Sequence, residues 1–235
     1  MNKVTTMEEA IARVKDGSTI MMGGFGLCGI PEKAINGIVK SGARNLTIIA
    51  NNAGVADAGI GLLIANGQVR RMVATYIGEN AIMEKKVIDG EIEVELTPQG
   101  TFSERIRAGG AGIAGFYTAA GVGTPVADGK ESRVFNGREY ILELPLRADV
   151  AFIKAWKADP HGNLVYRKTA RNFNPTMATA ADCTVAEVEE IVPLGSLDPE
   201  NIVTPGIFVD MVVKGENYEK RIEKRVYRQA SVAGA

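Results

Sequence analysis

Short apolar runs alternate with helix-length segments over the first hundred residues, and this pattern limits the fold more than anything else in the chain. Residues 18–22, 46–50, 71–76 and 92–96 each read as strands. Between them the spacing predicts a helix from Pro31, closed by Gly42, a short helix over 60–65 and another over 81–88. Pro suits a first helical position and Gly the position just past the last. Parallel strands need a crossover of a dozen or more residues, so the alternation points to βαβ units. In open sheets of that kind, ligands sit outside the carboxyl ends of the strands. A helix precedes the first strand. Thr6 and Glu9 are spaced as a capping box, Val4, Met7, Ala10, Ile11 and Val14 recur at helical spacing, and Gly17 is the expected stop.

The middle of the chain changes character. A helical turn or two is expected over 102–107, followed by a Gly- and Ala-rich stretch over 109–130. Then 133–142 carries a hairpin signal, because Asn136-Gly137 supplies the positive φ angles of a type I′ turn. Further strands are expected over 150–155, 164–166, 185–192 and 207–213. With no linker and no repeat, residues 1–235 are expected to form a single domain. The class is α/β, a mainly parallel sheet flanked by helices with an added β-hairpin region. The tail over 214–228 mixes Lys220, Arg221, Lys224, Arg225 and Arg228 with Glu216, Glu219 and Glu223, and reads as a solvated terminal segment.

Composition excludes more than it assigns. The formal net charge of -1 gives no global field for nucleic acid or membrane, so an anionic ligand needs a local site. One histidine and two distant cysteines, Cys28 and Cys183, support neither a metal site nor a disulfide framework. His161 lies in Asp-Pro-His-Gly-Asn, a turn sequence, and is expected to be a turn residue. The N-terminus lacks the apolar core of a signal peptide and no apolar run is long enough to span a bilayer, so a cytoplasmic location is expected.

The loop Gly24-Phe25-Gly26-Leu27-Cys28-Gly29 satisfies G-x-G-x-x-G between a strand and a helix. Glycines let backbone N–H groups approach a ligand, and a helix start favours phosphate or a developing oxyanion. Alternatively, these glycines only permit tight helix–strand packing. A nicotinamide site would also place an acidic residue at the end of the next strand, where this chain has Asn51-Asn52. That argues against an NAD-binding oxidoreductase. No Gly-Lys-Ser/Thr follows, so a P-loop fails as well.

A longer stretch is more specific. Asp16-Gly17, three apolar residues, Gly23-Gly24-Phe25 and then Gly29-Ile30-Pro31 resemble the N-terminal signature of family I coenzyme A transferases. The resemblance extends through Ala50-Asn51-Asn52-Ala53-Gly54-Val55, Tyr76-Ile77-Gly78-Glu79-Asn80, Glu93 to Thr101 with Pro98-Gln99-Gly100, and Ala108 to Gly112. It continues in Lys154-Ala155-Trp156-Lys157-Ala158-Asp159 and Ala170-Arg171-Asn172-Phe173-Asn174-Pro175. Within the family the likeness is to alpha subunits of the succinyl-CoA:3-oxoacid type. It implies a fold shared with some sugar-phosphate isomerases and CoA transfer from succinyl-CoA to acetoacetate or a similar 3-oxoacid. The alpha chain of an acetate/butyrate-acetoacetate CoA-transferase is the near alternative. A CoA-binding scaffold without catalysis and a phosphosugar isomerase are more distant ones.

The resemblance also implies a missing part. The family's nucleophilic glutamate lies in a Ser-Glu-Asn-Gly motif of the beta half, and that motif does not occur here. A separate beta subunit should supply the glutamate that becomes a glutamyl-CoA thioester. Alpha and beta chains are expected to pair into a heterotetramer. Coenzyme A thioester enters as substrate, with no permanently bound cofactor. Glu79 is a tempting substitute, but Gly78-Glu79-Asn80 reads more simply as Asn80 capping the next helix. The resemblance assigns CoA contacts to Gly24, Phe25, Gly26, Leu27, Cys28, Gly29 and Ile30. Asn51, Asn52 and Gln99 are candidate supporting residues, because neutral amides at strand ends can hold a carboxylate or a carbonyl oxygen as it gains charge. Arg167, Lys168 and Arg171 offer charges for CoA phosphates or a carboxylate, and equally for solvent or a partner.

Overall fold

The structure is a computed structural model that describes residues 1–221. A short helix, α1 (Met7–Ile11), leads into four parallel strands: β1 (Thr19–Met22), β2 (Leu46–Ala50), β3 (Val69–Ala74) and β4 (Glu93–Leu96). Their crossovers are α2 (Glu32–Ser41), α3 (Gly61–Ala65) and α4 (Ala81–Ile88). From β4 the chain runs through α5 (Gln99–Ala111) into a three-stranded antiparallel sheet of β5 (Phe116–Thr118), β6 (Ser132–Phe135) and β7 (Arg138–Glu143). It returns to the large sheet with β8 (Ala148–Ala158), β9 (Leu164–Val165), α6 (Asn174–Met177), β10 (Ala181–Ile191) and β11 (Met211–Lys214). The order across the large sheet is β11-β10-β8-β1-β2-β3-β4, all parallel, with β9 antiparallel to β8. The order therefore reverses at β1, and the glycine loop leaves the carboxyl end of that strand. An open parallel sheet forms its ligand crevice at such a reversal.

Strand alternation builds two cores. Ile20 and Met22 of β1, Ile48 of β2 and Phe152 of β8 pack with Ile35, Ile38, Leu63 and Ile64 from α2 and α3. Met21, Ile49 and Ile153 point to the other face and meet Phe102 and Ile106 of α5 and Met177 of α6. A sheet covered on both faces explains the near-continuous apolar runs of these strands.

Several boundaries differ from expectation, each for a local reason. The capping box of Thr6 and Glu9 forms, but α1 ends at Ile11 and not at Gly17, although Val14 still packs in the core. Pro31 precedes the first residue of α2, while Gly42 closes that helix in the left-handed conformation as expected. α5 is much longer than the predicted turn or two. Its interior Gly109 and Gly110 lower helix propensity, but they lie against the Leu146 carbonyl and Thr179, where no Cβ would fit. The hairpin forms with φ of 51° at Asn136 and 75° at Gly137. The last strand begins only at Met211, because Gly206–Phe208 forms a 3-10 turn.

The tail departs most from its reading as a solvated segment. Lys224, Arg225, Arg228 and Glu223 lie outside the described residues. Up to Arg221, however, the chain lies across the protein surface. The backbone N–H groups of Glu219 and Lys220 donate to the Glu32 carboxylate at 3.1 and 3.0 Å. Lys33 Nζ donates to the Asn217 carbonyl at 2.8 Å, and Arg221 pairs with Asp57 at 3.0 Å. Tyr218 turns inward over Lys154, with the lysine Nζ 3.1 Å from its ring centroid. Sequence alone shows only mixed charge here, since Glu32 lies 187 residues from Glu219 and Asp57 lies 164 from Arg221.

Candidate functional site

A cleft lies at the carboxyl ends of β1 to β4. Phe25, Gly26, Asn51, Asn52, Glu79 and Gln99 line it, together with Thr75 and Tyr76. The strand-end rule thus brings together all three expected amides. Their environments differ. Asn51 is buried, donates through Nδ2 to Thr75 Oγ1 at 2.8 Å, and holds that hydroxyl again through its own carbonyl at 2.9 Å. Asn52 Oδ1 accepts the Gly54 N–H at 3.2 Å, an Asx turn that leaves its amide nitrogen toward the cleft wall. Gln99 is exposed on the first turn of α5. Asn51 is thus a positioning group for Thr75, while Asn52 and Gln99 keep amide donors at the cleft. Sequence reading places Tyr76 in a motif of the resemblance but gives neither Thr75 nor Tyr76 a role at the site. They follow β3 as Asn51 and Asn52 follow β2, and the two strand ends form a bridge between Asn52 and Tyr76.

Glu79 lines the same cleft and is exposed. Its neighbour has the structural role expected. Asn80 is fully buried, its Oδ1 accepts the N–H groups of Ile82 and Met83 at 3.1 Å, and its Nδ2 donates to the Ala53 carbonyl at 3.0 Å. His161 is a turn residue, with its N–H donated to Asp159 Oδ1 at 2.9 Å. Among the described residues no group of His, Cys, Asp and Glu is arranged to hold a metal ion, and no helix is long and apolar enough to cross a membrane.

The glycine loop has a tighter structure than a phosphate cradle. Phe25 and Cys28 exchange backbone hydrogen bonds at 3.0 Å in both directions, so two of its donors are consumed within it. Gly29 has φ of 72° and would place a Cβ 2.5 Å from the Ala170 carbonyl; a Cβ on Gly23 would collide with the Asn174 carboxamide. Asn174 is fully buried and donates to the carbonyls of Gly29 and Ala170 at 3.0 and 2.9 Å, while its Oδ1 accepts the Lys154 N–H at 2.8 Å. These glycines therefore pack tightly, stitching the loop to the segment that leads into α6. The start of α2 is occupied as well. Ala34 donates its N–H to Glu187 Oε2 at 2.8 Å, so the protein's own carboxylate takes the position an anionic ligand would use. Burial raises the Glu187 pKa, opposed by that hydrogen bond and by the charge of Lys154.

Leu27 to Ile30 also wall a second cavity of about 370 Å³ on the far side of the loop, lined by Lys154, Arg167, Lys168 and Tyr218 among others. Burial lowers the Lys154 pKa to about 8, against the pull of Glu187 and Glu189. Arg171, also a candidate from sequence, is exposed and does not line this cavity.

A coenzyme A transferase family model matches residues 4–215. The chain is 58% identical over 231 residues to one subunit of the succinyl-CoA:3-ketoacid coenzyme A transferase of Helicobacter pylori, covering 98% of this chain and all of that one. It is 50% identical over 243 residues to mitochondrial succinyl-CoA:3-ketoacid coenzyme A transferase 2A of mouse, covering 96% of this chain but 47% of that protein. An acyl-CoA transferase of Escherichia coli O157:H7 shares the fold with a TM-score of 0.80 at 22% identity, over 91% of this chain and 47% of that one. With its parallel sheet, its strand-end cleft of amides and relatives of this identity over its whole length, the chain belongs to the coenzyme A transferase family.

Proposed function

We propose that this chain is the alpha subunit of a succinyl-CoA:3-ketoacid coenzyme A transferase and works with a separate beta subunit, in αβ units paired into a heterotetramer. The observation that carries the substrate class is the 58% identity to subunits of enzymes of that name, along essentially their full length. The mouse relative supports the partner, since this chain corresponds to only about half of a single longer protein.

The cleft suits half of such a site. Thioester exchange places negative charge on the thioester carbonyl oxygen in the transition state. Donors already in place stabilise that charge without reorganisation. Gln99 offers an amide fixed to a helix start, and Asn52 a second, anchored by its turn with Gly54. Neither carries a charge that would compete with a carboxylate nucleophile from the partner. Glu79 flanks the cleft, and its expected role is to support it, with the nucleophile on the beta subunit. Phe25 is half exposed at the rim and gives an apolar surface to the acyl or pantetheine chain. The binding energy of the remote nucleotide then drives the exchange.

The test is CoA transfer from succinyl-CoA to acetoacetate by the chain alone and after co-expression with the beta subunit. Activity only in the mixture is expected. Transfer by the lone chain would overturn the division of labour and make Glu79 the first residue to substitute. Inactivity of a confirmed complex would exclude this donor–acceptor pair.

A further inference from the structure

The cavity behind the glycine loop holds a buried ammonium group whose N–H donors no described residue accepts. Lys154 is 6% exposed, and its Nζ makes no hydrogen bond among the described residues. Its closest carboxylate oxygen, on Glu189, is 3.7 Å away, and the Tyr218 ring covers one side. A buried ammonium group with three unused donors is costly unless something accepts from it. Five cationic side chains line the cavity against two carboxylates, Glu32 and Glu189. Two of the five are already paired: Lys220 with Glu189 at 2.9 Å, and Arg221 with Asp57. Lys154 is set against Glu187 and Glu189, and Glu32 also lines the wall, so the net positive charge rests on Arg167 and Lys168.

The last two are presented, not merely present. The Arg167 guanidinium carbon lies 5.4 Å from the Trp156 ring centroid, a cation–π contact beside the cavity. Lys168 adopts φ of 51°, a left-handed conformation unusual for a side chain that is not Gly, Asn or Asp. Thr169 adds a hydroxyl to the lining. A surrounding structure that holds a lysine in an unfavourable backbone conformation at a cavity mouth is a frequent mark of ligand sites.

We propose that this cavity is a binding site for a phosphate ester, with Lys154, Arg167 and Lys168 as its cationic ligands. A buried ammonium, a planar guanidinium and a hydroxyl together match a tetrahedral dianion better than a single carboxylate. The site is separate from the amide cleft, on the other side of the loop, and stands whether or not the transferase reading does. Its ligand is either a nucleotide phosphate, such as the phosphoryl groups of coenzyme A itself, or a free phosphate compound.

The test is calorimetric titration of the chain, alone and in complex with its beta partner, with inorganic pyrophosphate and with adenosine 3′,5′-bisphosphate at low salt. Saturable one-to-one binding is expected. Lys154→Met should weaken it at least tenfold, and so should Arg167→Gln combined with Lys168→Gln. Arg138→Gln, on the distant small sheet, should leave it within twofold. Equal affinity for the two probes would assign the site to a bare phosphate group, and tenfold tighter nucleotide binding would assign it to a nucleotide. If Lys154→Met fails to fold by circular dichroism, the exposed Arg167→Gln, Lys168→Gln pair decides alone. Absence of saturable binding in chain and complex, or equal binding by all variants, would overturn the proposal.

Discussion

The two sides of the glycine loop are built on opposite electrostatic plans. On the Phe25–Gly26 side, the cleft offers amides and hydroxyls, with one exposed carboxylate at its edge. On the Leu27–Ile30 side, the charges of Glu187 and Lys154 are buried, with the half-buried ring of Tyr218 over the lysine. The contrast follows from what each side must do. A cleft for thioester exchange needs donors that respond to charge as it develops, and fixed full charges would bind the ground state just as firmly. The other side must hold the loop and the start of α2 in register with β8 and β10, and a carboxylate accepting a helix N–H does this over a long sequence separation. On the proposed function, one loop thus has a reactive face and an anchored face.

The anchored face should give the largest effect on stability. Glu187→Ala removes the acceptor for Ala34 and leaves Lys154 buried without its main compensating charge, with Glu189 at 3.7 Å and Glu32 as what remains to offset it. Breaking one partner of a buried pair costs about 3–5 kcal/mol. The urea midpoint of the purified chain measures it, and a loss under about 1 kcal/mol, the size of an ordinary surface contact, would mean that the cluster is not anchoring the loop. The reactive face should give the next effect, on rate and not on folding. Gln99→Ala in the assembled enzyme should lower kcat by about 100- to 1000-fold, the range for removing one oxyanion donor. Its melting temperature should stay near that of the wild type, because Gln99 is exposed. Unchanged kcat would remove Gln99 from the site and shift the comparison onto Asn52.

The reactive face is far more legible in the sequence than the anchored one. Asn51, Asn52 and Gln99 follow strands whose apolar runs are unmistakable, and parallel topology gathers strand ends without further information. Thr75 and Tyr76 are open to the same argument but escape it, because the apolar pattern carries the third strand through 76 and the strand ends at Ala74. The glycine motif is legible as a loop but ambiguous in purpose. What separates a phosphate cradle from tight packing is the carboxylate of Glu187, 153 residues from Ala34. Glu187 lies inside a strand, where only tertiary structure reveals that it faces a helix start. Likewise, Tyr218 follows the last strand in a charged tail, and no local pattern announces that it covers Lys154. Long-range polar pairing of this kind leaves no periodicity to read.

Lys154 offers the finest probe of the difference between the two faces. Burial lowers its pKa to about 8 from an ordinary lysine value of 10.5, and Glu187, Glu189 and Glu32 oppose that shift while Lys220 adds to it. Between these two values the unfolded chain binds a proton that the folded chain has released. Stability therefore rises with pH across the window, and the cost of burying the ammonium is fully present below pH 8. Tyr218, whose pKa is raised by burial and by Glu187, loses its proton first in the unfolded chain and so opposes the trend as pH nears 10, but it is common to both proteins and cancels in their difference. Measured as the difference between wild type and Lys154→Met, the gain from pH 8 to 10 should be on the order of 2 kcal/mol, since each tenfold change in proton affinity corresponds to about 1.4 kcal/mol. A phosphate ester bound in the cavity would hold the lysine charged and move the rise to higher pH. No equivalent pH-dependent difference is expected between wild type and Gln99→Ala, because the amide does not titrate. A flat difference for Lys154→Met would show that the ammonium is solvated in the folded chain, and the two faces would then differ in composition but not in burial of charge.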